Sequence, residues 1–239
     1  GHVRIYEWNS GSSSWDKKGS DIDGEAAADY SGQSVSISSD GTIVAIGANG
    51  NDGNGTSAGH VRIYEWNSGS SSWDKKGSDI DGEAASDYSG FSVSLSSDGT
   101  IVAIGAYGND DNGSISGHVR VYKWNGSAWA KRGNDIDGEA AYDYSGRSVS
   151  LSSDGTIVAI GAYANDGNGT SAGHVRIYEW NSGSSSWDKK GSDIDGEAAG
   201  DLSGWRVSLS SDGTIVAIGA YGNDGNGNAA GHVRVYEFQ

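Results

Sequence analysis

The sequence predicts an all-β fold, a β-propeller of four-stranded antiparallel blades. Three observations carry this. A stretch of hairpin character, Tyr88–Ala106, recurs at Tyr30–Ala48, Tyr144–Ala162 and Leu202–Ala220, and self-similarity at a fixed period marks a repeat architecture. The period is about 58 residues and holds four strand-like runs, the content of one long propeller blade. Side-chain size is graded across those runs, from Ser, Ala, Gly, Val and Ile in the first two to Tyr6, Trp8, Trp15 and their equivalents in the last two. Blades crowd together near an axis and diverge at the rim, so a wedge wants small residues inside and large rings outside. A β-solenoid, the rival repeat fold, has uniform thickness and gives no reason for the gradient. Apolar residues do not recur at helical spacing, so no helix is expected.

Each element follows from its local pattern. The first strand, Ser-Val-Ser-Leu-Ser at Ser92–Ser96, alternates small polar with apolar residues, the period of a strand. Ser-Asp-Gly then supplies a tight turn. The second strand, Thr-Ile-Val-Ala-Ile-Gly-Ala at Thr100–Ala106, is apolar on both faces, which predicts burial on both. The third opens with Gly-His-Val-Arg, at Gly1, Gly59, Gly117, Gly173 and Gly231, spaced 58, 58, 56 and 58 residues apart. The fourth is Ser72–Ile80. The short repeat has Asn125–Trp129 in place of the longer Asn67–Trp73, which marks the link between third and fourth strands as an exposed loop. The chain thus reads as a single repeat domain, 1–239, with repeats 1–58, 59–116, 117–172 and 173–230 and a closing strand 231–239. The third strand occurs five times and the others four. Closing four blades within this chain leaves one third strand over. Either a terminal third strand is displaced or pairs with another chain, or the repeats are a window on a larger ring or array; the sequence leaves both open.

The net charge of −16 disfavours nucleic acid and anionic membrane surfaces as partners and suits divalent cations. No apolar run approaches the roughly 18 residues of a membrane helix, so no membrane insertion is expected. Cysteine is absent, which excludes disulfides and thiolate metal sites. The chain opens inside a repeat, without Met and without a signal-peptide pattern, and is expected to be a piece of something longer.

Three pieces of each unit resemble the FG-GAP repeat, the blade of the integrin α-subunit propeller. They are Phe/Tyr-Ser-Gly-x-Ser-Val entering the first strand, Ile-Gly-Ala closing the second, and Gly-His-Val-Arg-Ile/Val-Tyr opening the third. Their order and spacing recur four times and cover nearly the whole chain. The resemblance implies an extracellular or cell-surface propeller that binds protein or glycan ligands in adhesion or assembly. Two departures matter. The family's Gly-Ala-Pro lacks its Pro, and the link between the first two strands is only Ser-Ser-Asp-Gly-Thr. That link offers too few oxygens for the family's Asp-x-Asp-x-Asp-Gly calcium site.

Several residue sets are candidates for chemistry. Asp79, Asp81, Glu83 and Asp87 have the oxygen spacing of a calcium loop, as do Asp21, Asp23, Glu25 and Asp29; Asp135, Asp137, Glu139 and Asp143; and Asp193, Asp195, Glu197 and Asp201. Calcium is the candidate ion, and a solvated turn with carboxylates capping backbone N–H groups is the plainer reading. The Asn-Asp-rich loops after the second strand, such as Asn109–Gly113, carry the same two readings. The repeats differ most at a few aligned positions, among them Phe91, Arg147 and Trp205 after Ser-Gly, Tyr142 before an Asp, and Tyr107, Tyr163 and Tyr221 after Ile-Gly-Ala. Exposed rings there would bind sugars or proteins; neutral drift at unconstrained surface positions is the plainer reading. Asn54, Asn112, Asn125 and Asn168 head glycosylation sequons, which act only in a secreted eukaryotic chain; Asn-Gly is also plain turn chemistry. The repeated histidines are expected to be structural and too far apart to share zinc. Acid–base catalysis needs carboxylates in unlike environments, and near-identical repeats supply one environment four times. A non-enzymatic adhesion or assembly module is therefore expected, with a lectin-like propeller and a filament unit joined by strand exchange as its variants.

Overall fold

The computed structural model describes residues 1–238, and its regular structure among these is all strand. The sheets are antiparallel and follow one plan, seen whole three times. In one copy the first strand, Ser92–Leu95, pairs with the second, Ile101–Ala106. The second pairs with the third, His118–Trp124, and the third with the fourth, Trp129–Lys131. The expected fourth strand is in fact broken. A separate piece, Ile136–Asp137, returns to the other end of the third strand, with Ile136 opposite Val119. The residues between the two pieces bulge, anchored by the Arg132 N–H donating to the Val121 carbonyl at 2.7 Å, and a bulge bends the strand that carries it. The sheets spanning 34–81 and 148–195 repeat this arrangement. Each therefore draws strands from both sides of the sequence boundary at Gly-His-Val-Arg. At the ends the sheets are partial. The first 23 residues supply only third- and fourth-strand pieces, and 203–237 supply the first three strands. No strand pairing among the described residues joins the first sheet to the last.

The sheets stack face to face. Ile43, Ala45, Val61 and Ile63 of one meet Val93, Leu95, Val102 and Ile104 of the next in one apolar cluster, and the same contact recurs between later sheets. Full burial of each Val, Leu or Ile side chain contributes roughly 1.5–3 kcal/mol, so the stack is a continuous core. The polar face of Ser-Val-Ser-Leu is not a water-facing one. The Leu95 N–H donates to Ser36 Oγ at 2.9 Å, Leu151 to Ser94 Oγ at 3.0 Å and Leu209 to Ser150 Oγ at 3.0 Å. First strands of successive sheets thus lie side by side, as they do nearest the axis of a propeller. The approach is close enough to require glycine: a Cβ on Gly105 would overlap the Gly146 carbonyl oxygen. Tryptophans fill the outer gap. Trp124 and Trp129 pair across strands at 5.4 Å, and the Trp129 indole N–H donates to the Lys76 carbonyl of the preceding repeat at 2.8 Å.

Both ends of the stack leave the contact uncovered. Val35 and Ile37 on the first complete sheet are 54% and 49% exposed, where Val93 and Leu95 are 9% and 8%. On the last sheet Val233 and Val235 are 67% and 65% exposed.

Candidate functional site

Two groupings of polar and aromatic side chains lie at one edge of the sheets, where first strands begin, second strands end and third strands begin. The inner one is a row of rings crossing three sheets. Tyr88 stacks on Tyr107 at 5.2 Å and 5°, and Phe91 meets Tyr107 edge-on at 4.7 Å. Tyr144 bridges Tyr107 and Tyr163 at 6.1 and 5.1 Å. Trp205 continues the row to Tyr163 at 4.8 Å and Tyr221 at 4.5 Å. Arg147 lies in the middle, its guanidinium carbon 4.1 Å from the Phe91 ring centre and 4.3 Å from that of Trp205. Such sandwiching is favourable for a cation. Arg147 Nη1 is buried and has no hydrogen-bond partner. Burial, and then the nearby Arg206 charge, push the guanidinium pKa down, while burial pushes the Tyr107 and Tyr163 hydroxyls up.

The chain reaches this geometry through strained turns. The buried Asp143 carboxylate accepts from the Ala140 N–H and the Asn165 side-chain amide, both at 3.0 Å. On either side Tyr142 and Tyr144 adopt φ of 67° and 56°, a costly region for side chains of this size. Ala28 and Tyr30, Ser86 and Tyr88, and Gly200 and Leu202 do likewise, so the turn belongs to every repeat. Six of the aligned variable residues, Phe91, Arg147, Trp205, Tyr107, Tyr163 and Tyr221, therefore come together. Tyr142 does not: it is 57% exposed and makes no ring contact. Tyr88 and Tyr144 belong to the row although the sequence offered them only as part of a strand-entry motif. Ring size consequently does not simply rise from hub to rim. The wedge constrains the space between sheets, where the tryptophans lie outermost, and leaves the end loops free to carry rings near the axis.

The second grouping lies on the third strands. His118 Nδ1 is 3.9 Å from both Glu83 Oε2 and Asp111 Oδ2, and Asp135 completes a group whose ligating atoms lie within 4.8 Å of one another. Glu25, His60 and Asp79, and Glu139, His174 and Asp193, repeat it without the third carboxylate. Each group straddles two repeats, with Glu from the earlier connection and His and Asp from the later sheet. The third-strand arginine is built in: Arg120 Nη1 is 3.5 Å from Glu83 Oε1, and Nη2 donates to the Asp81 carbonyl at 2.6 Å. Burial, then the Arg120 charge, lowers the His118 pKa to about 4. Burial, then the Asp135 and Asp111 charges, raises that of Asp137.

The carboxylates of each calcium-like stretch do not converge on one another. Asp87 turns back to accept from the Glu83 and Ala84 N–H groups at 3.1 and 2.9 Å. Asp29, Asp143 and Asp201 likewise accept from backbone N–H groups of their own turns. Asp21, Asp79, Asp135 and Asp193 each pair with the lysine four residues earlier. Asp23 and Asp195 lend their backbone carbonyls to Arg62 and Arg234, and Glu197 faces His232 at 3.6 Å. The stretch is therefore split between a turn and an inter-sheet contact. Of the sequon residues, Asn54, Asn112 and Asn168 each donate their amide to a carbonyl of the next connection at 2.7 Å. Asn125 instead closes its own turn, accepting from the Ala128 N–H at 2.9 Å.

Among solved structures, the chain is similar to a 6-phosphogluconolactonase candidate of Bacteroides uniformis, at TM-score 0.63 and 11% identity, covering 99% of this chain and 60% of that one. The periplasmic gluconolactonase of Pseudomonas aeruginosa aligns at 0.59 and 13%, covering 99% and 64%. Hydrazine synthase of Kuenenia stuttgartiensis aligns at 0.57 and 13%, covering 98% and 64%. The chain spans about three fifths of the length of these structures, and the likeness is one of fold, a β-propeller. These neighbours carry enzyme names, and the similarity to them gives no support to adhesion. The expectation of a non-enzymatic adhesion or assembly module, with its lectin-like and filament variants, is accordingly withdrawn. Four equivalent environments spoke against catalysis only while the repeats were taken as equivalent, and the row around Arg147 is built from the positions where they differ. No curated protein sequence matches the chain. The FG-GAP repeat matches residues 21–64, 79–122, 136–178 and 193–236, most of the chain, which therefore belongs to the FG-GAP repeat family.

Proposed function

We propose that the aromatic row around Arg147 binds an anionic, hydroxyl-rich ring of the sugar-acid lactone class, and that the chain contributes this site to a propeller that hydrolyses such lactones. Arg147 carries the reading. It is a half-buried cation held between two rings with Nη1 unpartnered, in a chain of net charge −16 where carboxylates to neutralise it are abundant. A guanidinium so placed is preorganised for a carboxylate or phosphate. Ring faces of Tyr107, Tyr163 and Trp205 suit the apolar face of a sugar ring, and tyrosine hydroxyls supply donors. In the reaction, water adds to the lactone carbonyl carbon and the ring acyl–oxygen bond breaks, leaving a carboxylate and a hydroxyl. Fixed donors aimed at the developing oxyanion lower the barrier to that addition. The names of the lactonase neighbours agree with this class.

The ring itself we read as larger than these four repeats. The open faces at Val35 and Val233 are the two halves of the contact that joins the sheets internally, so further repeats of the same kind complete it. A closed disc in electron micrographs of this chain alone would overturn that reading. The site is tested by titrating 6-phosphogluconate against tryptophan fluorescence and by following lactone hydrolysis above its spontaneous rate. Loss of a charge-assisted contact in Arg147→Gln should weaken binding by about tenfold or more. Binding indifferent to Arg147→Gln, or hydrolysis at the spontaneous rate, would sink the proposal.

A further inference from the structure

We propose that Glu83, Asp111, His118 and Asp135 form a binding site for one divalent transition-metal ion of the zinc class. The site is distinct from the aromatic row and from the family's calcium loop, and it does not depend on the lactone reading.

Three observations converge. The first is spacing. Ligands bound at about 2.0–2.2 Å in a tetrahedral shell lie some 3–4 Å from one another. The 3.9 Å separations of His118 Nδ1 from Glu83 Oε2 and from Asp111 Oδ2 suit a single ion between them. The second is an unsatisfied group. The His118 side chain is fully buried, both its ring nitrogens lack a hydrogen-bond partner, and Nδ1 faces the carboxylates. A buried imidazole without a partner costs stability unless something occupies the gap it faces. The third is the contrast with the sibling groups. Asp111 stands where the equivalent loops carry Gly53, Gly167 and Gly225. Its N–H still donates to Asn109 Oδ1 at 2.9 Å, as that of Gly167 does to Asn165 Oδ1 at 2.8 Å, so the loop is unchanged and only a carboxylate is added. The sibling groups hold their carboxylates against one Arg and one Lys each, Arg62 and Lys75 or Arg176 and Lys189. The central group has the same pair, Arg120 and Lys131, and a third carboxylate in reach of all the others, whereas Asp81, 4.0 Å from His60 Nδ1, stands outside the mutual reach of Glu25 and Asp79. Among the described residues it is thus the group with four ligands that can converge on one ion.

Ligand chemistry selects the metal class. One imidazole with three carboxylates suits zinc and its neighbours, whereas calcium takes six to eight oxygens in a looser shell. The ion would tie the connection bearing Glu83 to the next sheet and cross-link two repeats.

The test uses the full chain. Zinc is titrated calorimetrically, and cobalt is added as a spectroscopic probe of nitrogen and oxygen ligation. We expect one equivalent of zinc per chain, displacing cobalt. Asp111→Gly, which only copies the sibling loops, should weaken binding at least tenfold with an unchanged metal-free melting temperature. Gly167→Asp, which installs a third carboxylate, and so a fourth ligand, beside His174, should raise the stoichiometry to two. His118→Gln should alter the cobalt spectrum. Zinc binding equal in the wild type and Asp111→Gly, or a stoichiometry left at one by Gly167→Asp, would overturn the assignment.

Discussion

Ile-Gly-Ala ends the second strand in every repeat, yet its glycine faces two different environments, and this makes a matched pair of substitutions informative. In Gly105→Ala the new Cβ would overlap the Gly146 carbonyl oxygen of the adjacent sheet, and Gly47 and Gly161 face the equivalent carbonyls of Gly90 and Gly204. A backbone carbonyl cannot rotate away as a side chain would, so the sheets must part along their tightest seam. Overpacking of this kind costs typically 1–3 kcal/mol, and the rigid partner places Gly105→Ala near about 3 kcal/mol. At Gly219 the nearest atom to an added Cβ is the Arg206 carbonyl oxygen at 3.7 Å, an ordinary contact. There Gly→Ala should stabilise by about 0.4–1 kcal/mol, by restricting the unfolded chain. For a chain of this size about 1 kcal/mol moves Tm by roughly 2–4 °C. Thermal unfolding followed by circular dichroism should therefore show Gly105→Ala lowered by about 6–12 °C and Gly219→Ala unchanged or slightly raised. Equal shifts for the two variants would refute the inter-sheet seam.

Two further outcomes follow from the same geometry. Trp129→Phe leaves the part-buried Lys76 carbonyl without its 2.8 Å donor and should cost about 1 kcal/mol in a urea titration, whereas Trp15→Phe, at a position 65% exposed, should cost little. The turn carboxylates should mark acid stability. Ser210, then Thr214, donate to Asp212 and hold its pKa at about 2, below the usual carboxylate value near 3.9. A depressed folded-state pKa contributes stability that is present above the unfolded value and is lost as pH falls towards the folded one. Melting temperature should thus fall between about pH 4 and pH 2, and Asp212→Asn should flatten part of that slope; an identical slope would discount the turn.

Much of the plan was legible in residues 88–106. Alternation in Ser-Val-Ser-Leu, the Asp-Gly turn and the doubly apolar Ile-Val-Ala-Ile set strand, turn and strand, because these depend on neighbours one or two positions away. The break in the fourth strand was not legible, since Ile136 and Trp129 pair with opposite ends of one strand and only the bulge between them decides it. Of the candidate site, the variable positions Phe91, Arg147 and Trp205 could be named, but their mutual contact depends on how first strands align across sheets. The His118 group was passed over because its Glu83 comes from the preceding connection; the Gly-to-Asp change at Asp111 was the signal available.

The sequence by itself determined the strands, their turns and their fourfold recurrence, because hydrophobic period and turn chemistry are local. It could not determine exposure. Ile43–Ala48, Ile101–Ala106, Ile157–Ala162 and Ile215–Ala220 are identical hexapeptides, yet three are buried on both faces and the last on one alone. Only the tertiary structure decided this. Burial belongs to the contact between two sheets, and the last sheet has a neighbour on one side only.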